Sequence, residues 1–468
     1  MLFKDNTLYR LKPVRIVYMK KRFKAICMAF VMLCAIAAAP LSASAQTTKA
    51  RYELPFDLNV ASYLLVSLDT GEVIFEKDSD VARTPASLTK LMTSYVALKY
   101  VDDLDNTMVK CTTTHTDEVF IMGGSHADIR PGETVSMRNL IYAMLLPSAN
   151  EAANMVASHI GNGSRSNFYM IMNTEAKRLG CTNTNFSNPH GLFSDNHYTT
   201  AYDMYLIAKA CYEMPGFMDY ATTTSYLMPA AEKHKSDYYI HSTVLMQRKS
   251  YPAYYRSYIK GMKTGSLPEA KHNFVSVCEA NGEKYILVVM GAEYTDFEGN
   301  SLGSVPAFDA TAAIMDYFFD EYSLKPANNL EAPVTEVPMK YVKDADNLLL
   351  YPKTEVYSVL PNNVDESSFQ KIFNLPEEVY APINAGDVIG TVSYYIAGDL
   401  VGTTDLVAAQ SYERDFVIYL VEKAQEIISS LYFKVVLAVT LVIFGLIALY
   451  VYHHAKKAEK MQKIHRGR

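Results

Sequence analysis

A chain of 468 residues is too long for one ordinary domain and points to at least two globular units. Hydrophobic residues make up 49% and charged residues 20%, which describes a well-cored protein and excludes a disordered one. The net charge of −6 is unevenly spread: residues 1–45 carry +7, residues 453–468 carry +5, and the body between them −18. So acidic a body, with no basic patch interleaved with aromatics, argues against a nucleic-acid partner.

The chain opens as a secretory signal over residues 1–45. Lys20, Lys21, Arg22 and Lys24 form a basic region, Ala25 to Ala39 is an apolar run, and Ala43-Ser44-Ala45 offers a small-x-small cleavage site before Gln46. Met19, directly before the basic region, reads as the better translation start. Leu33 is too large for a lipoprotein site at Cys34.

Tyr63–Leu68 alternates as a strand, turns at Asp69-Thr70-Gly71 and returns over Glu72–Glu76, a hairpin signature. Thr84-Pro85-Ala86-Ser87-Leu88-Thr89-Lys90 then reads as a helix start, with Thr84 as cap and Pro85 at the first helical position. Leu88, Leu91, Met92, Tyr95 and Val96 supply an apolar face at helical spacing. Ser87 and Lys90, three apart, are neighbours on one side, a nucleophile beside a possible base. An unperturbed lysine is neutral only about once in 2,500 molecules at pH 7, so burial or a second cation must lower its pKa. Ser-x-x-Lys also occurs at Ser257/Lys260 and Ser368/Lys371, so the first match needs support from elsewhere in the chain.

From about residue 100 to 250 the pattern is mostly helical. Ser148 and Asn150, after the apolar stretch Leu140–Leu146, put a hydroxyl and an amide near a helix end, able to face a common cleft. Cys111, Cys181, Cys211 and Cys278 are widely spaced without a C-x-x-C and read as buried free thiols; no zinc site is legible. Lys263-Thr264-Gly265-Ser266 leads into a strand and offers a cation for a carboxylate, a hydroxyl beside it and close backbone approach. Strands at Asn273–Glu279 and Lys284–Met290 join through Asn281-Gly282, and a helix at about Ala307–Phe319 closes the unit. Strands, helices and strands in that order predict an α+β fold, an antiparallel sheet covered by helices, over residues 46–325.

Short apolar runs spaced by Pro, Asn, Asp and Gly predict a small all-β domain at 326–410. Residues 411–433 read as a helical stalk. The apolar run Val435–Tyr452, within the segment 434–452, would span about 27 Å, close to the roughly 30 Å core of a bilayer. The basic tail 453–468 places the C-terminus in the cytoplasm and the body outside.

Taken together, Ser87-x-x-Lys90, Ser148-x-Asn150 and Lys263-Thr264-Gly265 resemble the three motifs of penicillin-binding proteins and serine β-lactamases. The chain most resembles the D-alanyl-D-alanine carboxypeptidases. Pro189-His190-Gly191-Leu192, Thr200-Ala201-Tyr202-Asp203-Met204 and Ala381–Gly390 extend the likeness across roughly residues 55–410. The resemblance implies a β-lactamase/transpeptidase-like domain that acts on peptidoglycan stem peptides ending in D-Ala-D-Ala, reacts with β-lactam antibiotics and needs no cofactor or metal. It implies that Ser87 is the nucleophile, Lys90 its base, and Ser148 and Asn150 a proton relay and amide clamp. Lys263 and Thr264 would receive the terminal carboxylate, and the N–H groups of Ser87 and Ser266 would form the oxyanion hole beside Gly265. Ala149 stands where glycine is common and Ser266 where many relatives carry histidine. His190 and the tyrosine-rich segment Tyr251–Tyr258 read as loop-ordering and packing residues. The competing readings are a serine β-lactamase, whose Glu-x-x-Leu-Asn string is absent, and an inactive peptidoglycan-binding scaffold.

Overall fold

The computed structural model describes residues 50–465. The expected signal segment, with Met19, the basic cluster and the cleavage site before Gln46, lies outside the described residues.

Strands β1 (Ser62–Ser67) and β2 (Val73–Lys77) form the expected hairpin. A single 3-10 turn, Ala86–Leu88, then enters α1 (Thr89–Tyr100). A helical layer follows: β3 (Met108–Lys110), α2 (Thr113–Ile121), β4 (Thr134–Ser136), α3 (Met137–Leu145), α4 (Asn150–Ile160), α5 (Arg165–Arg178), α6 (Ala201–Glu213) and α7 (Phe217–Ala221). After the small hairpin β5 (Ser225–Met228) and β6 (Tyr238–His241), the chain returns to the sheet as β7 (Lys263–Leu267), β8 (Lys271–Ala280) and β9 (Glu283–Ala292). Asn281 and Gly282 both have positive φ, 55° and 86°, as the tight β8–β9 hairpin requires. Helix α8 (Pro306–Glu321) completes the domain.

The five strands lie in the order β2-β1-β9-β8-β7, all antiparallel, with β7 at one edge. Side-chain alternation sends consecutive residues to opposite faces. Leu64 and Val66 of β1, with Val275, Val277, Ile286 and Val288, join a core with helices α1, α3, α4 and α6. Tyr63 and Leu65, with Phe274, Leu287 and Val289, join a second core against α8. Both faces are therefore covered, which is why β1 is buried at every position. Helix α1 is buried from Thr89 to Ala97 and runs through the middle of the larger core.

Helix α8 runs without a linker into β10 (Tyr322–Pro326), which reading of the sequence did not foresee. The second unit contains β11 (Thr335–Lys340), β12 (Asn347–Pro352), β13 (Tyr357–Pro361), β14 (Gln370–Asn374), β15 (Val379–Tyr380), β16 (Val388–Ile396) and β17 (Asp399–Ala408). It has its own core around Leu348, Leu350, Leu360, Val392 and Leu406. Two straps join the units. Strand β10 pairs antiparallel with β13. The Glu72 carboxylate accepts from Arg51, from Ser358 Oγ at 2.8 Å and from Val359 N at 2.9 Å.

Helices α9 (Phe416–Ser429) and α10 (Leu431–His465) follow, separated by Ser430. Tyr341, 4% exposed, packs edge-on against Tyr419 while Arg414 lies over both rings, so the first turns of α9 are fixed to the β domain. Within α10, Leu431–Ala458 is long and apolar enough to cross a membrane, with none of its apolar stretch buried. The four cysteines of the body are buried and free, as expected.

Candidate active site

Ser87 sits on the 3-10 turn. The expected Thr84 cap is not formed: Pro85 occupies the cap position and no side chain caps the helix. Asn273 of β8 instead ties the turn to the sheet, its Nδ2 donating to the carbonyls of Thr84 and Pro85 at 3.0 and 3.1 Å. Ala86 is held at φ 49°, a conformation that strains any residue with a Cβ. Its carbonyl accepts from Thr89 Oγ1 at 2.8 Å, and Thr89 in turn meets His197 Nε2 at 2.7 Å. His197 Nδ1 accepts from Ser187 N at 3.0 Å, so its proton is on Nε2 and points at Thr89. Burial pushes the His197 pKa down to about 3, so the ring stays neutral.

Lys90 is fully buried. Its Nζ lies 3.0 Å from Ser87 Oγ, 2.6 Å from Asn150 Oδ1 and 2.7 Å from the His190 carbonyl. The last two atoms only accept hydrogen bonds, so they take two N–H groups of the amine and leave its third position facing the Ser87 hydroxyl. In the neutral amine that position is the lone pair. Burial, with the charge of Lys263 second, holds the Lys90 pKa well below the ordinary range, while Glu151 opposes them.

Ser148 has φ 68° and is 4% exposed; its Oγ is buried without a hydrogen-bond partner among the described residues. A buried hydroxyl without a partner costs about 1–3 kcal/mol, a cost a bound substrate would relieve. Lys263 is fully buried on β7, donating to the Thr264 carbonyl at 2.9 Å, and burial lowers its pKa to about 7. No carboxylate forms an ion pair with it among the described residues. Thr264 Oγ1 is 2.7 Å from Thr243 Oγ1. A Cβ on Gly265 would stand 2.9 Å from the Pro85 carbonyl and 3.2 Å from Ser87 N, so only glycine lets β7 pass this close to the serine turn.

Residues of all three motifs thus gather around the serine turn, Lys90 between Ser87 and Asn150 and Gly265 against Ser87 N. The Ser266 side chain turns outward to Tyr294 OH at 2.5 Å, leaving only its backbone to face the serine turn. The other two Ser-x-x-Lys matches make no such pair. Lys260 Nζ donates to the Ser257 carbonyl rather than to its hydroxyl, and Lys371 lies on the exposed strand β14.

Reading of the sequence missed the residues that act through the backbone. His190 supplies a carbonyl to Lys90, and its loop is ordered by Asn188 Oδ1, which accepts from His190 N and Gly191 N at 3.2 and 2.6 Å. His190 Nδ1 accepts from Leu192 N at 3.1 Å, so the expected loop-ordering role holds. The Asn-Pro-His-Gly string was the available signal, but no pattern shows that a carbonyl, not the imidazole, is the working atom. Thr243 and Asn273 gave no signal. In the tyrosine-rich segment Tyr254 and Tyr258 pack against Phe308 and Phe319, as a packing role requires.

Residues 45–294 match the D-alanyl-D-alanine carboxypeptidase family, and residues 328–414 match the C-terminal domain of penicillin-binding protein 5. The chain is 28% identical to D-alanyl-D-alanine carboxypeptidase DacF of Bacillus subtilis over 378 residues, covering 80% of this chain and 91% of that one. The solved D-alanyl-D-alanine carboxypeptidase DacD of Francisella tularensis superposes with a TM-score of 0.59 at 22% identity over 77% of this chain and 95% of that one, a likeness of fold. The Streptomyces K15 DD-transpeptidase does so with a TM-score of 0.50 at 28% identity, covering 57% of this chain and 99% of that one.

Proposed function

The chain belongs to the D-alanyl-D-alanine carboxypeptidase family, and from that premise we propose how its own residues divide the work. It is a serine carboxypeptidase of the low-molecular-weight penicillin-binding type, acting on peptidoglycan peptides that end in D-Ala-D-Ala. The observation that carries the assignment of roles is the coordination of Lys90. Two acceptors fix its N–H groups and leave its lone pair aimed at Ser87 Oγ.

Ser87 Oγ attacks the carbonyl carbon of the penultimate D-alanine while Lys90 Nζ takes the hydroxyl proton. The oxyanion that forms lies between the N–H groups of Ser87 and Ser266, which the close approach of β7 at Gly265 brings together. The C–N bond breaks as the proton held by Lys90 passes through Ser148 Oγ to the leaving amine, so the terminal D-alanine departs with Lys90 neutral and Ser148 restored. Water then attacks the ester on Ser87 with Lys90 again as base, releasing the shortened peptide. Asn150 fixes Lys90 and presents its amide to the peptide. Lys263, with no carboxylate partner among the described residues, receives the terminal carboxylate, assisted by Thr264. Each step needs only protein side chains and water.

The acidic body works outside the cell, held by α10, with the basic tail in the cytoplasm. The apolar stretch of α10 and the charge placement after it support this topology. Trapping the enzyme with a fluorescent penicillin and mapping the adduct tests the site: the label belongs on Ser87 and disappears in Ser87→Ala. An adduct on Ser257 or Ser368 would sink the mechanism.

A further inference from the structure

Glu151 follows Asn150 on α4 and is 2% exposed. Its Oε1 accepts from Ala127 N at 2.7 Å and from Ile129 N at 3.4 Å, gathering one short arc of chain onto a single oxygen. Its Oε2 is buried without a partner, and no cation forms an ion pair with the group among the described residues. The same arc is tied to Asn150. Asn150 N donates to the Ser125 carbonyl at 2.9 Å. Gly124 passes so near that a Cβ there would stand 2.3 Å from Asn150 Nδ2. Tyr238 OH secures the outer side, donating to the Ala127 carbonyl at 3.0 Å. Residues 124–129 therefore form a wall behind the Asn150 amide, and a single carboxylate holds its middle. Burying a carboxylate this completely without a cation is costly, and a neutral residue of similar size would pack there at less expense.

We propose that Glu151 is a positioning residue for the carboxypeptidase reaction: its carboxylate pins residues 124–129 behind Asn150 and so holds the Asn150 amide against Lys90. The proposal rests on the Ser87–Lys90 reading given above. Burial raises the Glu151 pKa and so disfavours its ionised form, and once ionised the carboxylate adds a second effect. Lys90 is faced by Lys263 from β7, by His190 and His197 from the loop after α5, and by Glu151 from α4. Of these only Glu151 favours the ammonium form. Glu151 thus steadies the base while opposing its deprotonation.

The two effects separate in substitutions. Glu151→Gln keeps an acceptor for Ala127 and Ile129 but removes the charge; Glu151→Asp keeps the charge but withdraws the acceptor by one methylene; Glu151→Ala removes both. The second-order rate of acylation by a fluorescent penicillin is measured from pH 5 to 10 on the detergent-solubilised full chain, with thermal melting as a folding control. Glu151→Ala and Glu151→Asp are expected to lose about tenfold or more, because misplaced catalytic groups are that costly. Glu151→Gln is expected to stay within about threefold at the alkaline plateau, with its acidic limb moved about half a unit lower as Lys90 sheds its proton more readily. Asp and Ala variants that acylate like the wild type, or a Gln variant that falls as far as Ala, would overturn the positioning role. An unmoved limb in Glu151→Gln would overturn the electrostatic effect. If Glu151→Ala does not fold, the Asp and Gln variants decide the matter. Loss of Ser87 labelling in the wild type would instead strike the reading on which the proposal rests.

Discussion

Replacing Gly265 by alanine tests the oxyanion hole through one methyl group. The new Cβ would lie 2.9 Å from the Pro85 carbonyl oxygen, 3.2 Å from Ala86 Cβ and 3.2 Å from Ser87 N. Comfortable carbon contacts begin at about 3.5 Å, so roughly half an ångström must be found. The serine turn cannot supply it, because Asn273 holds the Thr84 and Pro85 carbonyls from β8. Strand β7 can, being the sheet edge and hydrogen-bonded on one side only. Its retreat carries Ser266 N away from Ser87 N, and a donor that stood about 2.9 Å from the oxyanion would end near 3.4 Å, at the limit of a useful bond. Complete loss of one such donor costs about 10²–10³ in rate, so a stretched one should cost about 10- to 100-fold. Overpacking should lower stability by about 1–3 kcal/mol. The assay is the acylation rate with both penicillin and a D-Ala-D-Ala peptide, beside a denaturant titration. A folded Gly265→Ala enzyme that acylates at the wild-type rate would refute the close-approach argument and remove Ser266 N from the mechanism.

Lys90→Arg should abolish acylation, since a guanidinium cannot give up its proton in a protein, whereas Lys263→Arg should retain measurable acylation because a charge still meets the carboxylate. Equal rates for the two variants would mean that Lys90 is not the base. Burial holds Lys263 at about 7 against an ordinary 10.5, so between those values the unfolded chain binds a proton that the folded chain does not. Stability should therefore rise with pH across that window, by up to about 1.4 kcal/mol per unit from this group, and Lys263→Met should make the slope shallower. Denaturant midpoints at pH 7, 8 and 9 decide it; a slope unchanged in the methionine variant contradicts the shift. Protease added to intact spheroplasts should remove the body and leave a short C-terminal stub, and a protected body would contradict the proposed topology.

The parts of the site that sequence made legible are those where chemistry depends on a particular side chain. Ser87, Lys90, Ser148, Asn150 and Lys263 could be picked out because few residue types suit the roles proposed for them. The apolar run of α10 and the Asn281-Gly282 turn were legible for a similar reason, being local physics written in consecutive residues. What stayed hidden is carried by main-chain atoms and long-range partners. The His190 carbonyl leaves no trace in residue identity. The Thr84 cap was a sound local expectation, but Pro85 occupies the cap position and the Thr84 carbonyl is instead held by a side chain from β8, 189 residues away. Strand β14 is exposed at all five positions, so it has no apolar rhythm to read. Strand β10 is legible only once β13 is known to lie beside it.

The straps between the two units bear on how such a protein could be rebuilt or reshuffled. Glu72 belongs to the catalytic domain, but two of its hydrogen-bond donors, Ser358 and Val359, come from the β domain, while Arg51 comes from the segment before the sheet. Trimming the chain after β10 would remove those two donors and the partner of β10, exposing an unpaired strand and a half-solvated carboxylate. In this chain the catalytic domain cut free would therefore carry an open sheet edge and an undersupplied carboxylate. A foreign C-terminal domain grafted on after Pro326 would have to bring a strand in the register of β13 and donors for Glu72, so both sides of the seam would have to change together.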